Sequence, residues 1–187
     1  RLVFSTSAEM DLFEEAAKFR AARRLWAHLA RERFGAKDPR SWRLKVSAKT
    51  SGSSLTAQQP VNNIARTTVE ALAAILGGVQ VVEPCGYDEA HTIPSEGAAT
   101  VALNLLHILH HEARLNNTVD PLGGSYYVES LTCRLEEEAQ RIMGDIDRLG
   151  GMVSALRKGW VQEQVRQEAL RKQGQVESGE RRVVGVN

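Results

Sequence analysis

The sequence has few cysteines and no framework that could link them, which excludes one large class of small proteins. Only two cysteines, Cys85 and Cys133, occur among 187 residues, and they lie far apart. Two distant cysteines do not form the disulfide framework of a small secreted domain, and their presence as thiols suits a reducing compartment. We therefore expect a cytoplasmic protein, long enough to build one domain with its own core.

A charge imbalance and a long apolar run are also lacking. The chain has 24 Lys and Arg against 23 Asp and Glu, a formal net charge of +1. This balance gives no electrostatic basis for nucleic acid or an acidic membrane as a partner. No apolar run reaches the ~18 residues of a membrane span. The basic cluster Arg20, Arg23 and Arg24 shares its predicted helix with Glu14 and Glu15, which favours a solvated face.

An initiating methionine and a secretion signal are absent from the start of the sequence. The opening residues, RLVFSTS, carry neither the charged part nor the long apolar part of a signal peptide. They begin in the middle of a strand-like run. We therefore expect a piece of a longer polypeptide, or a subunit that begins unusually late.

Alternating strand-like and helical segments predict three successive βα units. Each short strand-like run is followed by a longer segment with apolar residues at helical spacing. The predicted pairs are residues 1–7 with 11–34, 42–49 with 63–76, and 79–82 with 95–115. The remaining chain predicts helices over residues 130–149, 152–158 and 160–172, and a final apolar run over 181–187 that forms either a strand or a linker.

The predicted middle strand has one apolar and one basic face. Trp42, Leu44, Val46 and Ala48 alternate with a second set, which is Arg43, Lys45, Ser47 and Lys49. In a barrel of parallel strands the second set would point into the interior, towards a ligand. On an open sheet edge it would instead be solvated.

A polar loop, SGSSLTAQQPVNN at residues 51–63, follows this strand and precedes a helix. Loops at the carboxyl ends of parallel strands line the active sites of barrel enzymes. Taken alone, the loop is more typical of an ordinary surface connection.

Several sequence blocks, in the same order, resemble the adenosylcobalamin-dependent acyl-CoA mutases, whose best-known members act on methylmalonyl-CoA. The blocks are FRAARRLWAHLARERFGAKDPRSW at 19–42, TSGSSLTAQQPVNNIARTTVEALAAILGG at 50–78, DEA at 88–90, DPLGGSYYVESLT at 120–132, GGMVSALRKGW at 150–160 and ESGERRVVGVN at 177–187. The resemblance implies an α/β fold, namely the last three βα units of a (βα)8 TIM barrel over residues 1–119. Residues 120–187 would be a helical extension that leads towards a missing cobalamin-domain linker.

The same resemblance implies a function and a set of partners. The reaction would be a radical 1,2-rearrangement of an acyl-CoA such as methylmalonyl-CoA, with adenosylcobalamin as cofactor. The Asp-x-His-x-x-Gly signature that ligates cobalt does not occur here, so the cobalt ligand is expected on a missing domain. The implied partners are the acyl-CoA substrate, an amino-terminal barrel half and a cobalamin-binding domain or subunit, in a homo- or hetero-oligomer.

Four positions are implied as site residues by the resemblance. Arg1 stands where the family has an arginine that contacts CoA phosphate; the alternative is a frayed terminus. Glu89 matches a family glutamate on the nucleoside side of the cofactor; the alternative is a helix cap or an exposed acid. Lys49 stands where the family has a glutamine near the cofactor, and Cys85 where it has an asparagine that contacts the cofactor.

Other positions depart from the family as well. Val3 replaces a serine and Ser47 replaces a histidine of the methylmalonyl enzymes. Such changes fit another acyl-CoA substrate, a changed cofactor contact, or a non-catalytic relative that kept only the scaffold. His107, His110 and His111 have a spacing that can hold a metal, but they lack an obvious further ligand except Glu112, and we predict no metal site.

Overall fold

The computed structural model describes residues 2–187 and shows two compact units, one ending at Glu136 and one formed by Glu137–Asn187. Three strands and the first helices lie in the first unit. In chain order the elements are β1 (Phe4–Ala8), α1 (Leu12–His28), β2 (Val46–Thr50), α2 (Asn63–Leu76), β3 (Val81–Glu83), α3 (Glu96–His107), α4 (Tyr126–Arg148), α5 (Met152–Arg157) and α6 (Trp160–Glu177). Helix α4 begins in the first unit and ends in the second. The predicted boundary at residue 119 stays a prediction.

The three strands form one parallel sheet in the order β1-β2-β3. Phe4 lies opposite Val46, and Ala48 lies opposite Val82. A helix follows each strand, so the α/β class and the three βα units are confirmed. This arrangement is consistent with part of a barrel. The position of these strands among the eight of a complete barrel stays a prediction.

Strand β2 is shorter than the alternation predicted. Residues Pro39–Trp42 form a 3-10 turn, capped by the Asp38 side chain, which accepts the Arg40 N–H at 2.9 Å. The Trp42 indole donates to the Ala36 carbonyl at 2.8 Å and is thereby held in this turn. The strand therefore begins at Val46, where the alternation of buried and open side chains is preserved.

The helices begin and end close to their predicted limits, with three differences. Helix α1 starts after Asp11, whose carboxylate accepts the Glu14 N–H, and passes into a π-helical turn before Gly35 at φ +62°. Helix α4 starts at Tyr126, four residues before Ser130, and α6 continues to Glu177. Residues 181–187 contain turns and no strand.

The core of the first unit lies between the sheet and its helices. Ala8, Val46 and Ala48 project from the strands onto Phe19 of α1 and Ala74 of α2. Side chains alternate across a strand, so the other face carries Ser5, Ser7, Ser47 and Lys49, together with Val81 and Glu83 of β3, which lie opposite Ser47 and Lys49. Ser5, Ser7 and Lys49 are exposed and Ser47 is half-buried. We call this the polar face of the sheet.

The arginine cluster of α1 is not a solvated face, so that prediction was wrong. Arg20 is only 9% exposed and forms ion pairs with Asp120 and Glu129. Arg24 pairs with Glu136, whose other oxygen lies 3.1 Å from Nδ1 of His28. The segment that contains Asp120, Glu129 and Glu136 folds back onto α1, which a local reading of the helix could not reveal.

None of the helices formed by residues 2–187 combines the length and the apolar character that a membrane crossing requires.

Replacement of Gly77 by alanine should destabilise the first unit by about 1–3 kcal/mol, because the site has no room for a methyl group. A Cβ there would lie 2.8 Å from Cβ of Phe19 and 3.1 Å from the carbonyl oxygen of Ala16. Gly97 has open space and serves as the control, since Gly97→Ala should be neutral or stabilising by up to ~1 kcal/mol. Urea unfolding measures both, and equal midpoints for the two variants would contradict the packing argument.

The isolated chain should associate, because β1 and β3 are sheet edges with unpaired backbone groups and three strands do not close a barrel. Sedimentation velocity should show species larger than the 20.6 kDa chain. A well-folded monomer at micromolar concentration would show that the edges need no partner.

Candidate functional site

The candidate site lies at the carboxyl edge, by which we mean the ends of the three parallel strands and the loops that leave them. Ala8 lies opposite Thr50, and Lys49 lies opposite Glu83. The polar loop of residues 51–63 and the loop between β3 and α3 therefore start side by side. Parallel register alone brings these two loops together.

Two of the residues implied by the resemblance meet at this edge. Nζ of Lys49 lies 3.7 Å from Oε2 of Glu89, and Oε1 of Glu89 accepts the Gly86 N–H at 2.7 Å. The Lys49 side chain is 55% exposed and that of Glu89 is 20% exposed. A pair this open contributes at most about 1 kcal/mol to stability. The cap of α3 is Ser95, so Glu89 is neither a helix cap nor a fully exposed acid.

Cys85 lies beside this pair, but its thiol is turned inward. The residue is 1% exposed. Its N–H donates to Oγ1 of Thr50 at 2.8 Å, and its Sγ donates to the Thr50 carbonyl at 3.1 Å. Burial raises the pKa of the Cys85 thiol, the Thr50 side chain lowers it in part, and the Glu89 carboxylate raises it further. A neutral buried thiol is a weak hydrogen-bond donor, and here it ties β3 to β2.

The proposed phosphate contact is not described by the structure. Arg1 lies outside the described residues 2–187, and its assignment stays a prediction. Val3, which replaces a family serine, is 69% exposed just before β1.

Asn63, at the start of α2, connects the two loops of the carboxyl edge. Its Nδ2 donates to the carbonyls of Thr56 at 2.9 Å and Tyr87 at 2.8 Å, while its Oδ1 accepts the Thr56 N–H at 3.1 Å. His91 adds a second link through Nε2, which lies 3.1 Å from the Ala57 carbonyl. Asn63 is fully buried, so its side chain connects the two loops on their inner side.

Glu70 of α2 is a fully buried acid behind the same edge. Its Oε2 accepts the Ser51 N–H at 2.9 Å. Burial raises the pKa of Glu70 to about 7, while the Ser54 hydroxyl and the Ser51 N–H oppose the shift and the charges of Glu9 and Glu15 add to it.

Sequence reasoning missed Asn63, Thr50 and Glu70. The sequence did contain one signal for Glu70: it falls in the stripe of α2 that also carries Thr67, Ala71 and Ala74. An acid at a buried helical position marks a specific polar contact. The contacts of Thr50 with Cys85 and of Asn63 with Tyr87 join residues 35 and 24 positions apart and have no local signature.

The three histidines of α3 and its π-helical extension contact one another but do not lie at the carboxyl-edge loops. The His107 and His111 rings are stacked with centroids 5.8 Å apart, and the His110 and His111 rings are 4.4 Å apart. Among residues 2–187, no group of three or more His, Cys, Asp or Glu side chains is arranged to hold a metal ion.

The pKa of Glu70 predicts a pH-dependent stability. Between about pH 4.5 and about pH 7 the folded chain keeps a proton that the unfolded chain has released. The free energy of unfolding should therefore fall as pH rises through this window, by up to roughly 3 kcal/mol, and level off above it.

Glu70→Gln should remove this contribution, since its amide does not titrate. Urea unfolding at several pH values between about 5 and about 8 would measure the difference between the two proteins. Parallel pH profiles for wild type and Glu70→Gln would contradict the assignment.

Comparison with known proteins places this chain in one family. The family model described as Methylmalonyl-CoA mutase matches residues 1–187. Over the whole chain, the sequence is 45% identical to the methylmalonyl-CoA mutase of Escherichia coli and 43% identical to the 2-hydroxyisobutanoyl-CoA mutase large subunit of Aquincola tertiaricarbonis. It is also 43% identical to a probable mitochondrial methylmalonyl-CoA mutase of Caenorhabditis elegans.

The chain spans between 25% and 33% of the length of these curated relatives. The match extends from the first strand through the carboxyl-edge loops to the last helix. The chain therefore belongs to the methylmalonyl-CoA mutase family.

Proposed function

We propose that this chain is the carboxyl-terminal part of the catalytic barrel of an acyl-CoA mutase, an isomerase that rearranges an acyl-CoA thioester with adenosylcobalamin as cofactor. The observation that carries the proposal is the meeting of Lys49, Glu89 and Cys85 at one carboxyl edge. The family pattern implies a cofactor role for each of these positions, and the fold brings them together from strand β2 and the loop between β3 and α3.

The polar face of the sheet suits the interior of a barrel that holds a polar thioester. Ser5, Ser7 and Ser47 are small, so they leave space, and their hydroxyl groups can donate or accept hydrogen bonds. Inward-pointing residues of an ordinary barrel are bulky and branched, because they fill the core. The three serines of this face favour an interior that holds a ligand. The acyl-CoA would be methylmalonyl-CoA or a related branched acyl-CoA.

The carboxyl edge also fits the polar periphery of the cofactor. The Lys49 ammonium group can donate to amide or hydroxyl oxygens, and the Glu89 carboxylate can accept from ribose hydroxyl groups. Glu89 is already oriented by the Gly86 N–H. Adenosylcobalamin, when bound, supplies the radical that starts the rearrangement. This chain would orient the cofactor and exclude water, and the cobalt ligand would come from another domain or subunit.

Cys85 would act indirectly in this arrangement. Its Sγ is engaged by the Thr50 carbonyl and is buried. The thiol therefore holds the end of β3 in place for Glu89 and does not itself reach the cofactor. This refines the role that the resemblance implies for its position.

A non-catalytic relative is the second candidate, and the changed residues favour it. Lys49 and Cys85 replace an amide-bearing glutamine and asparagine of the methylmalonyl enzymes. A lysine adds a charge, and the inward thiol removes a cofactor contact. Such a chain would keep the scaffold as an assembly module.

The open sheet edges support a requirement for partners in either case. We propose an amino-terminal barrel half and a cobalamin-binding domain or subunit, assembled as a homo- or hetero-oligomer. One relative is described as a large subunit, so the completing parts should be sought both on the same polypeptide and on separate chains.

Turnover by the complete assembly tests the proposal. With adenosylcobalamin and a panel of acyl-CoAs, the assembly should isomerise at least one substrate. Lys49→Ala and Glu89→Ala should each lower kcat/KM by about tenfold or more, a loss of about 1.4 kcal/mol of transition-state stabilisation.

Arg141→Ala is the control, because Arg141 is an exposed residue of α4 that pairs only with Glu138 and Asp145 among the ion pairs described here. It should leave turnover unchanged. Absence of turnover with every substrate, in an assembly shown to contain both a closed barrel and bound cofactor, would favour the non-catalytic relative.

A further inference from the structure

Glu70 makes a contact that neither the core nor the proposed chemistry explains. It is a fully buried carboxyl group in the middle of α2, on the side of the sheet opposite the polar face. Burial of an acid costs several kcal/mol unless the group is well paired. A leucine or alanine would pack there without this cost, so the carboxyl group needs a specific reason.

The geometry around Glu70 favours its neutral form. The Ser51 N–H is shared between two acceptors. Its nitrogen lies 2.9 Å from Oε2 of Glu70 and 2.9 Å from the carbonyl oxygen of Ala8. Oε1 of Glu70 is buried without a hydrogen-bond partner in residues 2–187. The Ser54 hydroxyl, whose proximity lowers the pKa of Glu70 in part, donates to the Ser51 carbonyl at 2.9 Å. An ionised carboxylate requires several donors, whereas this one shares a single N–H.

The charges around Glu70 point the same way. Glu9, which follows β1, and Glu15 of α1 both act on it as like charges, and burial raises its pKa still more. Lys18 pairs with Glu15 and donates to the Ser7 carbonyl at 2.8 Å. On its own helix, Arg66 donates to Asn63 and Thr56.

Hydrogen bonds alternate with single peptide links, and end in one ion pair, along a path from Glu70 to the carboxyl edge. Glu70 holds the N–H of Ser51, the residue directly after the end of β2. Thr50, the last residue of β2, bonds the N–H and the thiol of Cys85. The residue after Cys85 gives its N–H to Glu89, which faces Lys49.

We propose that Glu70 is the positioning residue of the carboxyl edge: its carboxyl group accepts the Ser51 N–H and thereby fixes the end of β2 on which Cys85, Glu89 and Lys49 depend. That this edge is an active site rests on the proposed function. That Glu70 fixes it rests on the contacts alone and can be tested without turnover.

The accessibility of the Cys85 thiol provides the test, with Cys133 as a reference on the same chain. Cys85 is buried and Cys133 is exposed. In the complete protein that carries this chain, without cofactor, the two thiols are alkylated with iodoacetamide under native conditions, and mass spectrometry of the peptides gives the ratio of the two rates. The ratio reports local opening at Thr50 and Cys85.

Glu70→Leu should raise the Cys85 to Cys133 ratio about tenfold, since it removes the acceptor while roughly keeping the volume. Glu70→Gln keeps a neutral acceptor and should leave the ratio within about twofold of wild type. Val128→Ala opens a cavity between α1 and α4, away from the edge, and destabilises the same unit. It should also leave the ratio unchanged.

Three results would overturn the proposal. They are an unchanged ratio in Glu70→Leu, an equal rise in Glu70→Gln, or an equal rise in Val128→Ala. If Glu70→Leu does not fold, Glu70→Gln decides alone through the amide exchange of Ser51. If the Ser51 amide of Glu70→Gln is protected from hydrogen exchange as in the wild type, the proposal is supported. Loss of that protection opposes it. A non-catalytic relative would give the same ratio of Cys85 to Cys133 alkylation. Failure of the proposed function is therefore seen separately, as an absence of turnover.

Discussion

The parallel register of three short strands is the constraint on which the rest of the structure depends. Because β1, β2 and β3 run in the same direction and end together, the loops that follow them start at one edge. A shift of one residue in β2 would exchange Lys49 with Thr50 between the two faces. Lys49 would then enter the core, and the Thr50 contacts with Cys85 would be lost. The register is set by alanines and valines that fit closely against α1 and α2.

The carboxyl edge is built mainly from hydrogen bonds between side chains and backbone, and only secondarily from charge. Thr50, Asn63 and Glu70 are buried and face the helices or the loop interior, while Lys49 and Glu89 lie outside them. Buried polar groups with few alternative partners hold a unique geometry. The arrangement separates two tasks. The inner residues fix the loops, and the outer residues remain available to a ligand and can vary between relatives.

Much of the fold could be predicted from the sequence, because helical spacing and strand alternation are local signals. Helix α2 has the predicted limits, and the βα order is as expected. The errors have physical causes. Trp42 fits the strand alternation, but its indole bond to Ala36 holds it in a turn. Arg20 fits a solvated helix face by its local sequence, but its partners, Asp120 and Glu129, lie about a hundred residues further on. The approximate grouping of Lys49, Glu89 and Cys85 followed from the family pattern. The inward turn of the thiol did not, since it depends on a contact between two strands.

The ion pairs of α1 have a consequence for the order in which this chain matures during its synthesis. Arg20 and Arg24 find their carboxylates 100 to 112 residues downstream. A chain folds from its amino end as it leaves the ribosome. The sheet with α1 and α2 can assemble first, but Arg20 lacks its carboxylates until Asp120 and Glu129 have emerged, and Arg24 lacks its carboxylate until Glu136 has emerged. The first βα unit is thus completed by nearly the last segment of the first compact unit, and a nascent chain stopped before Asp120 would expose a basic, apolar flank to chaperones.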